Sequence, residues 1–86
     1  MEPAEVIFYP LMTEAASLMV EKDNKLIFIV NLKAGKSDVK KAVEELYEVK
    51  VDKITVLTTP QGEKKAFVKL KPEFRASDVA IKLGIL

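Results

Sequence analysis

The side chains best suited to chemistry in this sequence are lysines, and the chemistry they suit is anion binding. Lysines surround the predicted start of a helix in the middle of the chain, at Lys33, Lys36, Lys40 and Lys41. Two more, Lys64 and Lys65, follow a predicted tight turn whose tip could reach into a groove. The free N–H groups of a helix start form a phosphate site when lysines lie nearby. The alternative, that these lysines are only solvated surface, is about equally favoured by the sequence.

The order of charges along this middle helix supports the anion site. Its acids Glu44, Glu45 and Glu48 lie toward the C-terminal end, where the helix dipole disfavours negative charge. Each exposed charge on the wrong end forgoes about 0.3–1 kcal/mol. An external anion at the lysine-rich end would explain why such an order is kept.

The distribution of charge along the chain is more informative than its total. Fourteen Lys+Arg and thirteen Asp+Glu leave a net charge of +1. Residues 1–32 hold two lysines and five acids, a sum of −3, whereas residues 33–71 hold ten lysines and six acids, a sum of +4. The sequence therefore predicts a charge-polarised domain and argues against a long cationic tail.

The predicted strand after the turn carries an aromatic residue among lysines. Strict alternation places Lys65, Phe67 and Lys69 on one face and Ala66, Val68 and Leu70 on the other. A phenylalanine between lysines is typical of surfaces that stack bases and bind phosphates. The interpretation we favour is that Phe67 packs under a helix and the lysine stems surround it.

Several residue types needed for catalysis are missing. The chain has no Cys and no His, and its three glycines are scattered, so it offers neither a thiolate, a Cys-based zinc site nor a phosphate loop. We predict no enzymatic activity, no cofactor and no metal. A plait-like acyl- or phosphoryl-hydrolase would need an arginine that binds the anionic substrate. The only arginine, Arg75, follows no glycine-rich loop.

The N-terminus and the hydrophobic runs indicate a cytoplasmic protein. Residues 1–5 are acidic where a signal peptide would be basic. The longest apolar run, residues 26–30, is far shorter than the ~20 residues of a membrane span. We therefore expect no membrane span.

The predicted elements position these residues in one domain, residues 1–86. Hydrophobic periodicity predicts strands at residues 7–10, 26–30, 51–58 and 64–71. Helices are predicted after the caps Thr13, Ser37 and Ser77, the last ending at Gly84. The order β-α-β-α-β-β-α predicts an α+β fold, plait-like, in which helices pack on a small, mainly antiparallel sheet. On the strand at 51–58 we expect Val51, Thr55 and Leu57 to share one face.

Four stretches of the sequence, in order and in register, resemble one family. They are residues 10–14 (PLMTE), 34–44 (AGKSDVKKAVE), 46–51 (LYEVKV) and 62–70 (GEKKAFVKL). Together they resemble the ribosomal protein L23 family of the large subunit, whose members lie beside the peptide-exit tunnel. The short turn at 59–63 is similar to the archaeal form.

The resemblance implies a non-enzymatic protein that binds large-subunit rRNA and contacts neighbouring ribosomal proteins. It implies rRNA contacts at Thr13, Lys36, Lys40, Lys64 and Lys65, to which the charge pattern adds Lys33 and Lys41. It also implies that Glu14 and Glu48 dock the signal recognition particle or another exit-site factor. The alternative is a free-standing plait-like protein-interaction module that uses a sheet edge and the acidic N-terminal face.

The sequence departs from the family pattern at three places. Ala15 stands where a lysine is usual, so one expected rRNA contact is missing. Gly35 replaces Asn or Thr, which would loosen the loop before the middle helix. Thr55 and Val56 replace an Asn-Thr pair, so the contacts of that pair cannot be transferred.

Overall fold

The computed structural model describes residues 1–84 and contains eight elements in that range. They are α1 (Pro3–Val6), β1 (Ile7–Pro10), α2 (Glu14–Asp23), β2 (Lys25–Val30), α3 (Lys36–Tyr47), β3 (Val51–Thr58), β4 (Lys64–Leu70) and α4 (Ala76–Leu83). The predicted order is confirmed, preceded by the single turn α1. That turn has Pro3 at its first position, where a missing N–H costs nothing.

The strands form one four-stranded sheet in the order β1-β2-β4-β3. Each pairing between neighbours is antiparallel, as predicted for most of the sheet. The return strand β4 is inserted between β2 and β3, so β3 is an edge strand. This placement brings the start of β4 to the end of β2, where Lys64 lies opposite Val30.

One face of the sheet forms the hydrophobic core. Strands β2 and β4 supply Leu26, Phe28, Val30, Ala66, Val68 and Leu70, each at most 1% exposed. Helices α3 and α4 close this face with Val39, Val43, Val79 and Ala80. The ring of Phe28 stacks on Tyr47 of α3 with centroids 5.7 Å apart. The apolar stripe that predicted α3 is therefore the stripe that it buries.

The helix starts differ from two of the three predicted caps. Thr13 caps α2 as predicted, because its Oγ1 accepts a hydrogen bond from the N–H of Ala16 at 3.1 Å. Ser37 and Ser77 are not caps, since each lies inside the first turn of its helix. At α3 the N-cap is Gly35, whose N–H donates to Asp38 Oδ2 at 3.0 Å.

The start of α4 is held from a distant part of the chain. Its N-cap is Arg75, which makes no side-chain cap hydrogen bond. Instead the N–H of Ala76, the first helical residue, donates to Oδ1 of Asn24 at 2.6 Å. Asn24 ends α2 in the left-handed conformation, with φ of 55°. A single side chain thus joins the end of α2 to the start of α4, which local sequence patterns cannot reveal.

Strand β3 contains an irregularity that changes its faces. The pairing with β4 shifts between Val51 and Lys53, as at a β-bulge. Val51 therefore shares the core side with Ile54 and the half-buried Val56, whereas Thr55 and Leu57 are exposed. The predicted grouping of Val51 with Thr55 and Leu57 is wrong, because an extra residue in one strand reverses the alternation that follows it.

The β3–β4 connection is the tight turn that the sequence predicted. The N–H of Gly62 donates to the carbonyl oxygen of Thr59 at 2.9 Å, which places Pro60 at the second position of the turn. Gly62 has a φ of 84°, a value that glycine adopts without strain. The turn brings Lys64 and Lys65 to the start of β4.

Candidate nucleic-acid interface

The lysines at the start of α3 form an exposed group, here called the helix-start cluster: Lys33, Lys36, Lys40 and Lys41. Lys36 and Lys40 are four residues apart, so they share one face of α3. Gly35, the N-cap, has no side chain to cover the first helical N–H groups. The cluster thus combines exposed ammonium groups with the positive end of a helix dipole.

Lys64, the first residue of β4, lies beside the helix-start cluster. Its Nζ donates to the carbonyl oxygen of Ala34 at 2.6 Å and makes a longer contact of 3.5 Å to that of Leu32. These carbonyl groups belong to the residues on either side of Lys33, in the loop that directly precedes α3. Lys64 therefore has a structural role, which is to hold the loop before α3 against β4, and it adds its charge to the cluster.

Lys65 lies on the other side of the sheet from Lys64. It is in register with Ile29 of β2 and Leu57 of β3, whereas Lys64 is in register with Val30 and Thr58. Because successive strand residues point to opposite faces, the two neighbouring lysines are separated by the sheet. The structure brings Lys64, and not Lys65, to the helix-start cluster.

A shallow groove of about 170 Å³ runs between α3 and β3 beside the cluster. Helix α3 contributes Lys36, Ser37 and Lys40, and β3 contributes residues 51–54. One acid, Asp52, and a further lysine, Lys53, belong to that β3 segment. Lys53 was missed from the sequence because its position depends on the bulge.

Thr13 and Glu14 lie away from this groove. The N–H of Leu11, just before them, donates to the carbonyl oxygen of Ile27, whereas the helix-start cluster follows Val30 at the other end of β2. The Thr13 hydroxyl oxygen already accepts the capping hydrogen bond of α2. Glu14 is exposed in the first turn, where a negative charge stabilises the helix.

Glu48 occupies a second groove, of about 190 Å³, between the end of α3 and α4. It is the C-cap of α3 and has a φ of 54°, unusual for a residue other than glycine. Glu14 lies at the opposite end of α2 from Asn24, about 15 Å of helix away from the contact with α4. The structure therefore does not bring Glu14 and Glu48 together.

The sheet face opposite the core is here called the outer face. It carries Lys25, Ile27 and Ile29 of β2, Lys65, Phe67 and Lys69 of β4, and Lys53, Thr55 and Leu57 of β3. Phe67 is half-buried and is not among the side chains packed against the core. Strands β2, β3 and β4 therefore combine lysines with the aromatic ring of Phe67 on the outer face.

Tyr9 covers part of the outer face. It is in register with Ile29, and its hydroxyl donates to Oε2 of Glu63 at 2.9 Å. Glu63 directly precedes β4, which lies on the far side of β2 from β1, so the Tyr9 side chain crosses β2 to reach it. Ile29 of β2, in register with Tyr9, is only 3% exposed. The hydrogen bond to the Glu63 carboxylate raises the pKa of Tyr9. Burial against the core raises the pKa of Tyr47 on α3.

No helix within residues 1–84 is long and apolar enough to cross a membrane. The same residues contain no group of three or more His, Cys, Asp or Glu side chains that could hold a metal ion.

The fold and the exposed lysines together are typical of one class of protein, small α+β domains with a surface suited to binding a nucleic-acid backbone. A family model described as Ribosomal protein L23 matches residues 5–79, most of the chain, and the chain belongs to that family. It is therefore a large-subunit ribosomal protein that binds rRNA and associates with other ribosomal proteins. The family is structural rather than catalytic.

Proposed function

We propose that this chain, as one domain of residues 1–86, binds rRNA phosphates near the peptide-exit tunnel through the helix-start cluster and Lys64. The observation that carries the proposal is the hydrogen bond from Lys64 Nζ to the carbonyl oxygen of Ala34. It unites lysines from two distant segments on one surface. Such contacts position a protein on RNA by charge and shape and do not read base sequence. The proposal places the protein on cytoplasmic ribosomes.

The remaining residues expected from the sequence would make separate contacts. The Thr13 hydroxyl oxygen accepts a hydrogen bond from the N–H of Ala16. Its O–H remains able to donate to an RNA phosphate or ribose. Lys65 lies on the outer face and would bind RNA only from that side. Both stay part of the proposal as contacts independent of the helix-start cluster.

The test is the salt dependence of binding to deproteinised large-subunit rRNA. The double variant K36E/K40E should lower the log–log salt slope by about two units, because each neutralised phosphate contributes about 0.9. Binding at moderate salt should be lost. Filter binding over a series of KCl concentrations measures both quantities.

The matched control is K22E/K82E, which reverses two exposed lysines on α2 and α4. It makes the same change in net charge, so it should retain a salt slope close to that of the parent. Thermal melting must show that both variants are folded. If K36E/K40E binds rRNA as tightly as the control, the helix-start cluster is not the rRNA surface.

We also propose that Glu14 and Glu48 contact an exit-site factor, of which the signal recognition particle is the expected example. Both side chains are exposed, as a docking contact requires. Because they lie apart, a small docking surface would use one of them and not both.

The single variants E14Q and E48N test this docking contact separately. Asn tolerates the left-handed conformation of position 48, so E48N removes the charge without straining the end of α3. We expect one variant to weaken factor recruitment to reconstituted ribosomes, with E45Q as the control at another exposed acid of α3. Unchanged recruitment by both would exclude the docking contact and leave rRNA binding intact.

A further inference from the structure

The outer face contains an arrangement of lysines that the fold does not need. Lys69 of β4 is in register with Lys25 of β2 on one side and with Lys53 of β3 on the other. Like charges at directly opposite strand positions destabilise a sheet. The residues in register elsewhere on this face are apolar, Thr or Lys65. The carboxylate of Glu63 lies beyond the other end of β4 from Lys69, where it accepts a hydrogen bond from Tyr9.

The bulge in β3 completes this row of lysines. Val51 faces the core, so uninterrupted alternation would turn Lys53 toward the core as well. The shift in pairing between these two residues instead places Lys53 beside Lys69 on the outer face. Bulges that re-aim a side chain are common next to functional sites. Lys53 also lines the groove beside α3, so it connects the outer face with the helix-start cluster.

Phe67 lies next to this lysine row along β4. It is in register with Ile27 of β2, which is buried, and with Thr55 of β3, which is exposed. The part of the ring that faces β3 is therefore beside an open surface. An aromatic ring among lysines can stack on a base while the ammonium groups bind the adjoining phosphates.

We propose that the outer face is a second RNA-binding surface, in which Lys25, Lys69 and Lys53 bind backbone phosphates and Phe67 stacks on a base. Charge complementarity selects RNA as the occupant, because a polyanion removes the mutual repulsion of the lysine row. The inference rests on the proposed rRNA binding and extends it to the other side of the sheet. The domain would then hold RNA on both sides, with Lys53 at the edge between them.

The absence of cysteine from the chain allows a direct test. Single variants T55C, S37C and E21C carry an iron–EDTA tether on the outer face, at the helix-start groove and on α2, respectively, each at an exposed position. The tethered proteins are bound to deproteinised large-subunit rRNA, and hydroxyl radicals released by the tether cut nearby RNA. We expect strong cleavage from T55C and S37C and little from E21C.

The outcomes separate the two RNA surfaces. Cleavage from S37C without cleavage from T55C overturns the outer-face proposal and leaves the proposed function standing. Cleavage from neither, although the protein is bound, removes both. Cleavage of a ribosomal protein by T55C in reconstituted subunits, without RNA cleavage, would show that a protein covers this face and would also overturn the proposal.

Binding measurements give an independent readout. The variant K25Q/K69Q should lower the log–log salt slope for the same rRNA by about two units, whereas K22Q/K82Q should not. Lys53 is left unchanged because it also belongs to the groove. The variant F67L keeps apolar volume and removes the aromatic face, and it should weaken binding by several-fold at high salt, where the electrostatic contribution is smallest. Parental affinity and slope in both variants would exclude the lysine row and Phe67 as RNA contacts.

Discussion

The two faces of the sheet differ in composition although the same central strands supply both. The core face of β2 and β4 is a continuous apolar surface in which Phe28, Ala66 and Val68 are completely buried. On the outer face, the same strands place Lys25, Lys65 and Lys69 around Phe67. Burial explains the apolar residues of the core face, whereas repulsion argues against the row of lysines on the outer face. The comparison teaches that folding accounts for the apolar residues of both faces, whereas the lysine row of the outer face is the feature for which we propose a partner.

The largest effect is expected from truncation on the core face. The variant F28A removes a fully buried ring that stacks on Tyr47, and it should lower the free energy of unfolding by about 3–5 kcal/mol. Urea denaturation followed by circular dichroism measures the loss. If F28A does not fold, the milder F28L should still melt below the parent; a loss under about 1 kcal/mol in F28A would contradict the assigned core.

Asn24 connects regions that the sheet itself does not join, and its loss should have the second largest effect. Its side-chain N–H groups donate to the carbonyl oxygens of Leu70 and Phe74, and its Oδ1 accepts from the N–H of Ala76. The variant N24A should lower the free energy of unfolding by about 2–3 kcal/mol, because it leaves these groups unpaired and strains the left-handed conformation.

The variant N24G separates the two contributions in Asn24. Glycine accepts the φ of 55° but offers no side chain, so N24G should recover only the conformational part of the loss. Hydrogen exchange at the first turn of α4 should rise in both variants. If N24G is as stable as the parent, the three hydrogen bonds contribute nothing and α4 is held by its core contacts alone.

Local pattern predicted most of this fold because most of its residues follow periodicity. The stripe of α3, the alternation of β4 and the turn at Gly62 need only neighbouring residues to specify them, and each was anticipated. The bulge at Val51–Lys53 and the hydrogen bond from Ala76, at the start of α4, to Asn24 depend on contacts between distant segments. Local pattern therefore does not place Lys53, and it predicts at Ser77 a hydrogen bond to the start of α4 that Asn24 makes instead.

The candidate site divides in the same way. The helix-start lysines could be found from one segment, since Lys36 and Lys40 are neighbours on a helix. The union of Lys64 with them, and its separation from Lys65, depends on the register between β2 and β4. The sequence favours packing of Phe67 beneath a helix, whereas the ring is half-buried on the outer face and is not among the side chains packed against the core. Long-range pairing is the information that the sequence alone did not supply.

The smallest effect, and the one with the opposite sign, is expected on the outer face. The variant K69E places a carboxylate between Lys25 and Lys53, so repulsion is replaced by attraction. Its free energy of unfolding should exceed that of the parent by roughly 0.2–1 kcal/mol at low salt. Added salt should reduce this difference, because screening weakens interactions between exposed charges.

Urea denaturation at two KCl concentrations measures the effect of K69E, with K82E on α4 as the control for a change in net charge. A destabilised K69E would mean that the Lys69 stem is needed for packing, and the contrast between the two faces would lose its basis. A stabilised K69E that no longer binds rRNA would show that the chain keeps, on this face, a residue that its own folding disfavours. Folding would then favour an acid at position 69 and RNA binding a lysine, whereas on the core face folding alone selects each apolar residue.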